Sequence, residues 1–313
     1  MTDYSRLLAP GIEAFIARTD ACFPPDAAAR GIAEQRELYN AMCKVFHAGH
    51  PDGVTATDGK LNAAGRAIQV RRYLPFSPAG EALVVYYHGG GFILGGLQSH
   101  DDVCAEICSA AGLPVVSVDY RLAPEFTHPA QSDDAIDAFR ALAASHKGPI
   151  ILCGDSAGGT LCAAVCHAVR GEEITPAGQV LIYPSLGGDE SRGSYITHAN
   201  APGLTTADMK VYAALRSGGR KIMGDPAFKP LMDTDFSGLP PTVMVSAECD
   251  PLNDDCRDYR DALLSAGGKA HWIEEKGLIH GFLRARHMAE PARAAFSRII
   301  EAVAALGKGN WPY

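Results

Sequence analysis

Several things are missing from this 313-residue chain, and each absence removes a class of protein. No apolar run reaches the ~20 residues of a membrane-crossing helix, so no membrane span is expected. No Lys/Arg cluster occurs and the formal net charge is -8, so no basic face is offered to a polyanion and nucleic acid is excluded as a partner. The first ten residues contain an acid and lack an apolar core, which gives no sign of export and makes a cytoplasmic location the expectation. Internal repeats and low-complexity tracts are also missing.

A disulfide framework is absent too. The nine cysteines are odd in number, and several lie inside apolar segments, as Cys153 does after residues 150–152. Cys104/Cys108 and Cys162/Cys166 have i,i+4 spacing, which would suit a metal on one helix face. No further Cys/His group lies near either pair in sequence, so buried reduced thiols and no metal site are expected.

What is present is an alternation. Residues 82–87, 114–120, 149–153, 179–183 and 242–247 are short, apolar and rich in β-branched side chains, as parallel strands covered on both faces are. Helical patterns separate them at 101–111, 133–145, 156–169 and 254–266, and one at 290–306 closes the chain. This predicts an α/β fold with a mostly parallel, doubly wound sheet. Residues 67–74 and 269–275 suit added strands, the former at an antiparallel edge. Two stretches stand outside the scheme. Residues 1–50 look helical with no strand partner, and residues 185–235 exceed any ordinary linker. Both suit a cap over the sheet's C-terminal edge; the alternative is plain packing on the core.

The chemistry-bearing residues fall at strand ends. Gly154-Asp155-Ser156-Ala157-Gly158 is a G-x-S-x-G pattern between an apolar run and a helical one, a sharp turn that only small flanking residues permit. It makes Ser156 the candidate nucleophile. His88-Gly89-Gly90-Gly91 follows another strand, and Gly90, Gly91 and Ala157 are the candidate N–H donors to an oxyanion. A phosphate loop would want a following Lys and Ser/Thr, and Phe92-Ile93-Leu94 supplies neither. His280, after the last predicted strand, is the candidate base. Asp250 is the candidate acid, in chain order Ser156, Asp250, His280. Glu248, Asp254 and Asp255 compete with it, but Glu248 belongs to the strand end and the other two to the first turn of the next helix. His88 is expected to shape the glycine loop, Asp155 to support the turn at Ser156, and Asp119 to pair internally with Arg121.

Taken together, HGGGF at 88–92, DYRLAPE at 119–125, GDSAGG at 154–159, Leu239-Pro240-Pro241, DPL at 250–252 and HGF at 280–282 resemble the hormone-sensitive-lipase-like branch of the α/β-hydrolases, the bacterial family IV esterases. The resemblance implies one α/β-hydrolase domain over 1–313 with a cap from about 1–50 and 185–235. It implies a serine carboxylesterase acting on short- to medium-chain acyl esters, with a small-molecule substrate and no cofactor, and it leaves a homodimer open. One departure is Asn253-Asp254-Asp255, where relatives often carry Arg-Asp-Glu. Two rival readings use the same frame. An amidase or deacetylase would share the Ser-His-Asp set. A receptor on this fold, as in plant gibberellin receptors, would lack the histidine that His280 supplies.

Overall fold

The computed structural model describes residues 2–313. Eight strands form one sheet: β1 (Val54–Ala63), β2 (Arg66–Pro75), β3 (Leu83–Tyr87), β4 (Val115–Asp119), β5 (Ile150–Asp155), β6 (Gly178–Ile182), β7 (Thr242–Cys249) and β8 (Ala270–Ile279). Their spatial order is β1-β2-β4-β3-β5-β6-β7-β8. From β4 to β8 every pairing is parallel, whereas β1 and β2 form an antiparallel hairpin docked antiparallel on β4. β3, β5 and β6 are buried along their whole length, which is why they read as unbroken apolar runs.

Nine helices accompany the sheet among the described residues: α1 (Ile12–Asp20), α2 (Ile32–Phe46), α3 (Asp101–Ala111), α4 (Ala130–Ser145), α5 (Ala157–Ala168), α6 (Ser194–Thr197), α7 (Thr206–Ser217), α8 (Asn253–Ser265) and α9 (Glu290–Gly307). One core layer joins Val103 and Ile107 of α3 to Phe296 and Ile299 of α9. The other joins Phe139 of α4, Leu161 of α5 and Tyr259 of α8. Apolar clusters on both faces make the sheet doubly wound, as the alternation predicts. β1 is the strand that the sequence does not announce. Its residues are mostly exposed or half-exposed, so it carries no apolar signature and owes its pairing to β2.

The two unassigned stretches are helical. The N-terminal one packs partly into the core through Ile12, Phe15, Met42 and Phe46, with the Phe15 and Phe46 rings edge to face at 5.2 Å. The insertion between β6 and β7 carries α6 and α7. Thr205 and Asp208 close a reciprocal cap at the start of α7, and Gly218 in the left-handed conformation ends it.

Two of the three residues after DPL, Asp254 and Asp255, fasten this insertion, while Asn253 ties β7 to β8. Asn253 accepts from Ser246 Oγ and donates to Glu274. Asp254 accepts from the Ser194 N–H and pairs with Arg257. Asp255 is fully buried and accepts the N–H groups of Leu186, Gly187 and Gly188 and the hydroxyl of Tyr195. Burial pushes its carboxyl up to about 7, against these four donors, which favour the charged form.

Asp255→Asn sets an amide NH2 among donors and should cost at least about 1 kcal/mol at pH 8, read as a lower urea midpoint. The folded-state value lies above the ~3.9 of an unfolded Asp, so the fold binds this proton more tightly than the unfolded chain. Wild-type stability therefore gains as pH falls from 8 toward 4, and the variant's deficit should widen below pH 7. A deficit that narrows would mean that the donors outweigh burial.

Candidate active site

At the end of β5 the chain turns on Ser156, whose φ is +52°, a strained value for a residue with a side chain. The turn holds because its neighbours have no room to do otherwise. A Cβ on Gly158 would lie 1.8 Å from the Tyr87 carbonyl oxygen of β3. The Ser156 N–H donates to Ile182 O at the end of β6, and α5 starts at the next residue. The hydroxyl is thereby held at the C-terminal edge of the sheet, at the start of a helix.

His280 follows directly on β8. Its Nε2 is 2.9 Å from Ser156 Oγ, and its Nδ1 is 2.7 Å from Asp250 Oδ2. Asp250 is wholly buried just past β7, and its other oxygen accepts the Leu252 N–H at 2.9 Å. With Nδ1–H directed at a carboxylate, Nε2 is left to accept the serine proton. The competing acids lie elsewhere. Glu248 bonds Lys276 Nζ and the Gly277 N–H, while Asp254 and Asp255 hold the insertion.

The glycine loop faces the same point. Gly90 and Gly91 have φ of +123° and +62°, and a Cβ on Gly91 would strike the Tyr212 ring of α7 at 2.8 Å. Among the described residues, the N–H groups of Gly90, Gly91 and Ala157 donate to no protein acceptor. All three residues line one cavity with Ser156 and His280. Asp155 joins the loop to the elbow. Its Oδ1 accepts from the Tyr86 hydroxyl and the Gly89 N–H, and its Oδ2 lies 3.2 Å from His100 Nε2. Burial alone would raise its carboxyl; His100 and Tyr86 overcome that and hold it far below the usual range. His88 stacks on Tyr120 at 4.3 Å and bonds Gly89 O through Nδ1. Burial, with His100 alongside, pulls His88 down to about 4, which keeps it neutral at pH 7 and suits the shaping role.

The cavity has a volume of about 570 Å³. Phe15, Leu38 and Met42 line it from the N-terminal stretch, and Leu204, Met209 and Tyr212 from the insertion. Sequence reasoning missed Tyr183, whose ring lies 4.7 Å from that of His280. Its place just after a strand, like that of the other site residues, was the available signal. The expected Asp119–Arg121 pair does not form. Arg121 is bidentate to Asp134 of α4, because the chain leaves β4 between the two residues and carries Arg121 toward that helix.

Eight of the nine cysteines are buried in the core clusters as free thiols, Cys249 among them, and Cys22 is half-buried. The His47, His50 and Asp101 side chains, not singled out by spacing, do converge. Both imidazoles approach the same Asp101 oxygen at 3.1 and 2.7 Å, and the Gly49 N–H occupies His47 Nδ1. A metal on His47 Nε2 would want Nδ1 as a donor instead, so this group fits a hydrogen-bonded clamp between the segment that follows α2 and the start of α3.

A strand-elbow-helix with a serine at its tip, a histidine and an acid after later strands, and a parallel sheet beneath define an α/β-hydrolase. The family model described as alpha/beta hydrolase fold matches residues 84–284, and the chain belongs to that family, in the hormone-sensitive-lipase-like branch that its motifs resemble. Carboxylic ester hydrolase LipN of Mycobacterium tuberculosis is 33% identical over 88% of this chain and 76% of its own length. Ethyl acetate hydrolase of Pseudomonas putida is 33% identical over 76% of this chain and 79% of its own. The solved structure of ester-hydrolase EH1AB1 from the Lake Arreo metagenome superimposes with a TM-score of 0.88 at 32% identity, covering 96% of this chain and 99% of that one. No described helix is long and apolar enough to cross a membrane.

Gly158→Ala should be the most damaging single methyl at this site. The clash is with backbone rather than a mobile side chain, so a loss above about 3 kcal/mol is expected in denaturant unfolding. A variant of normal stability would mean that the elbow is looser than these contacts describe.

Proposed function

We propose that this carboxylic ester hydrolase cleaves short- to medium-chain acyl esters with Ser156 as nucleophile, His280 as general base and Asp250 as the acid that orients it. The observation that carries this reading is His280 standing in hydrogen-bond reach of both partners, beside three N–H groups without protein acceptors. His280 Nε2 takes the Ser156 proton as Oγ attacks the ester carbonyl, and Asp250 stabilises the imidazolium that results. The N–H groups of Gly90, Gly91 and Ala157 receive the charge that develops on the carbonyl oxygen. His280 then protonates the departing alcohol, and water enters by the same route to release the acid.

Residues of about 1–50 and 185–235 act as a cap. Their apolar side chains wall the cavity, whose volume suits an acyl chain of modest length rather than a triglyceride. The names of the relatives, a carboxylic ester hydrolase and an ethyl acetate hydrolase, support the ester reading. An amidase or deacetylase would use the same groups, and the leaving group separates the two.

Initial rates on p-nitrophenyl esters of increasing chain length, run beside the matching anilides, test this. Esters should be turned over far faster than anilides, with a maximum at short or medium chains. A jump in rate above the micellar threshold would point to a lipase instead. Asp250→Asn should lower kcat by about 10³–10⁴-fold, because an amide favours the wrong His280 tautomer. Glu248→Gln should change it less than about threefold; a reversed outcome would move the acid to Glu248.

A further inference from the structure

The cavity beside Ser156 is walled mainly by apolar groups, yet a guanidinium stands in it. Arg284 lies in the short turn Phe282–Ala285, four residues after His280. Phe282, Leu283 and Ala285 of that turn are buried, while Arg284 is half-buried and faces the cavity. Its position is held from two sides. One terminal nitrogen donates to Ser99 O at 3.0 Å and the other to the Tyr39 hydroxyl of α2 at 2.9 Å, with the guanidinium 5.3 Å from the Tyr39 ring centre.

These two bonds leave most of the five N–H donors unused. Among the described residues no carboxylate comes within 4.0 Å of Arg284. Its Nε makes no hydrogen bond and is not among the polar atoms sealed from solvent. Arg216, the other arginine of the lining, shows what a structural role looks like here. It is buried with its guanidinium against the Phe92 and Phe228 rings at 3.6 and 4.6 Å, and it spends both terminal nitrogens on the Phe228 and Ala227 carbonyls.

The acids of the lining do not take up the Arg284 donors. Asp155 lends a favourable field, but Tyr86, Gly89 and His100 already occupy both its oxygens. Glu190 is bonded to Lys229 Nζ, and Asp20 is an exposed residue of the lining. A fixed cation with free donors inside an apolar cavity is a receptor for a planar anion, because the attraction is strong where water is scarce and a carboxylate matches the guanidinium fork.

We propose that the cavity accepts esters that carry a free carboxylate away from the scissile bond, such as half-esters of dicarboxylic acids, and that Arg284 pairs with that carboxylate. The proposal rests on Ser156 as the hydrolytic nucleophile. It makes Arg284 a specificity residue that acts on substrate binding.

The test uses two matched pairs of esters, with acid release followed at constant pH. Monoethyl glutarate against ethyl hexanoate places the charge on the acyl side; 4-acetoxybenzoate against phenyl acetate places it on the alcohol side. In one pair, wild type should hydrolyse the charged member with kcat/KM at least equal to that of its neutral partner. Arg284→Gln should then lower the charged-to-neutral ratio by about 10- to 100-fold, mainly through KM, and Arg284→Lys should restore part of it. A wild type that rejects both charged esters more than tenfold overturns the proposal, and this arm needs no variant to fold. A ratio unchanged in Arg284→Gln overturns it as well and leaves Arg284 a tie between α2 and the Ser99 loop. Ser156→Ala is run alongside. If it still hydrolyses the neutral esters, the serine mechanism itself has failed, independently of what Arg284 does.

Discussion

The closest constraint in this molecule is the approach of α5 to β3, where Gly158 lies so near the Tyr87 carbonyl that a methyl group could not be inserted. That contact joins the two halves of the site. β3 delivers the glycine loop and β5 delivers the elbow, so the distance between Ser156 and the N–H groups of Gly90 and Gly91 is set by backbone packing rather than by mobile side chains. Strain at Ser156 follows from the same packing: the residue adopts a positive φ because its neighbours leave no other path from strand to helix. In the proposed reaction this rigidity matters because oxyanion donors act only where the charge develops, and donors placed in advance need no reorganisation.

A second layer of polar contacts holds this backbone in register. Asp155 is buried, charged and bonded to both the loop and His100, so a single carboxylate braces the strand end on which Ser156 stands. Asp255 does comparable work at residues 186–188, where the chain leaves β6 for the insertion. Buried carboxylates are costly unless their oxygens are satisfied: Asp255 takes three backbone N–H groups that would otherwise be orphaned, and Asp155 takes one N–H, a hydroxyl and an imidazole. The cavity thus has a stiff floor and is walled on its other sides by helices, which suits a site whose chemistry is general and whose selectivity lies in the walls. Arg284 belongs to those walls, reaching from the histidine-bearing turn toward α2.

Much of this could be read from the chain. The central strands were legible because a strand covered on both faces must be apolar throughout, and the elbow because its glycines are required by sterics. Asp250 could be separated from three neighbouring acids because strand and helix ends assign different directions to each. Other features left no local trace. β1 is a polar edge strand that exists through its partner. Arg121 pairs with Asp134 rather than Asp119, since ion pairs are chosen by where the chain turns after β4. His47 and His50, which follow α2 in the chain, meet Asp101 at the start of α3 only in the folded molecule.

The sequence by itself determined the layered α/β architecture, the chain order of Ser156, Asp250 and His280, and the strand ends at which they stand. These depend on periodicity, turn sterics and chain order, which are properties of short segments. Only the tertiary structure decided what encloses Ser156, which acids are bonded to which bases, and that Arg284 stands in the cavity without a carboxylate partner among the described residues. Those are relations between segments far apart in the chain, and burial and charge balance arise only when the segments pack.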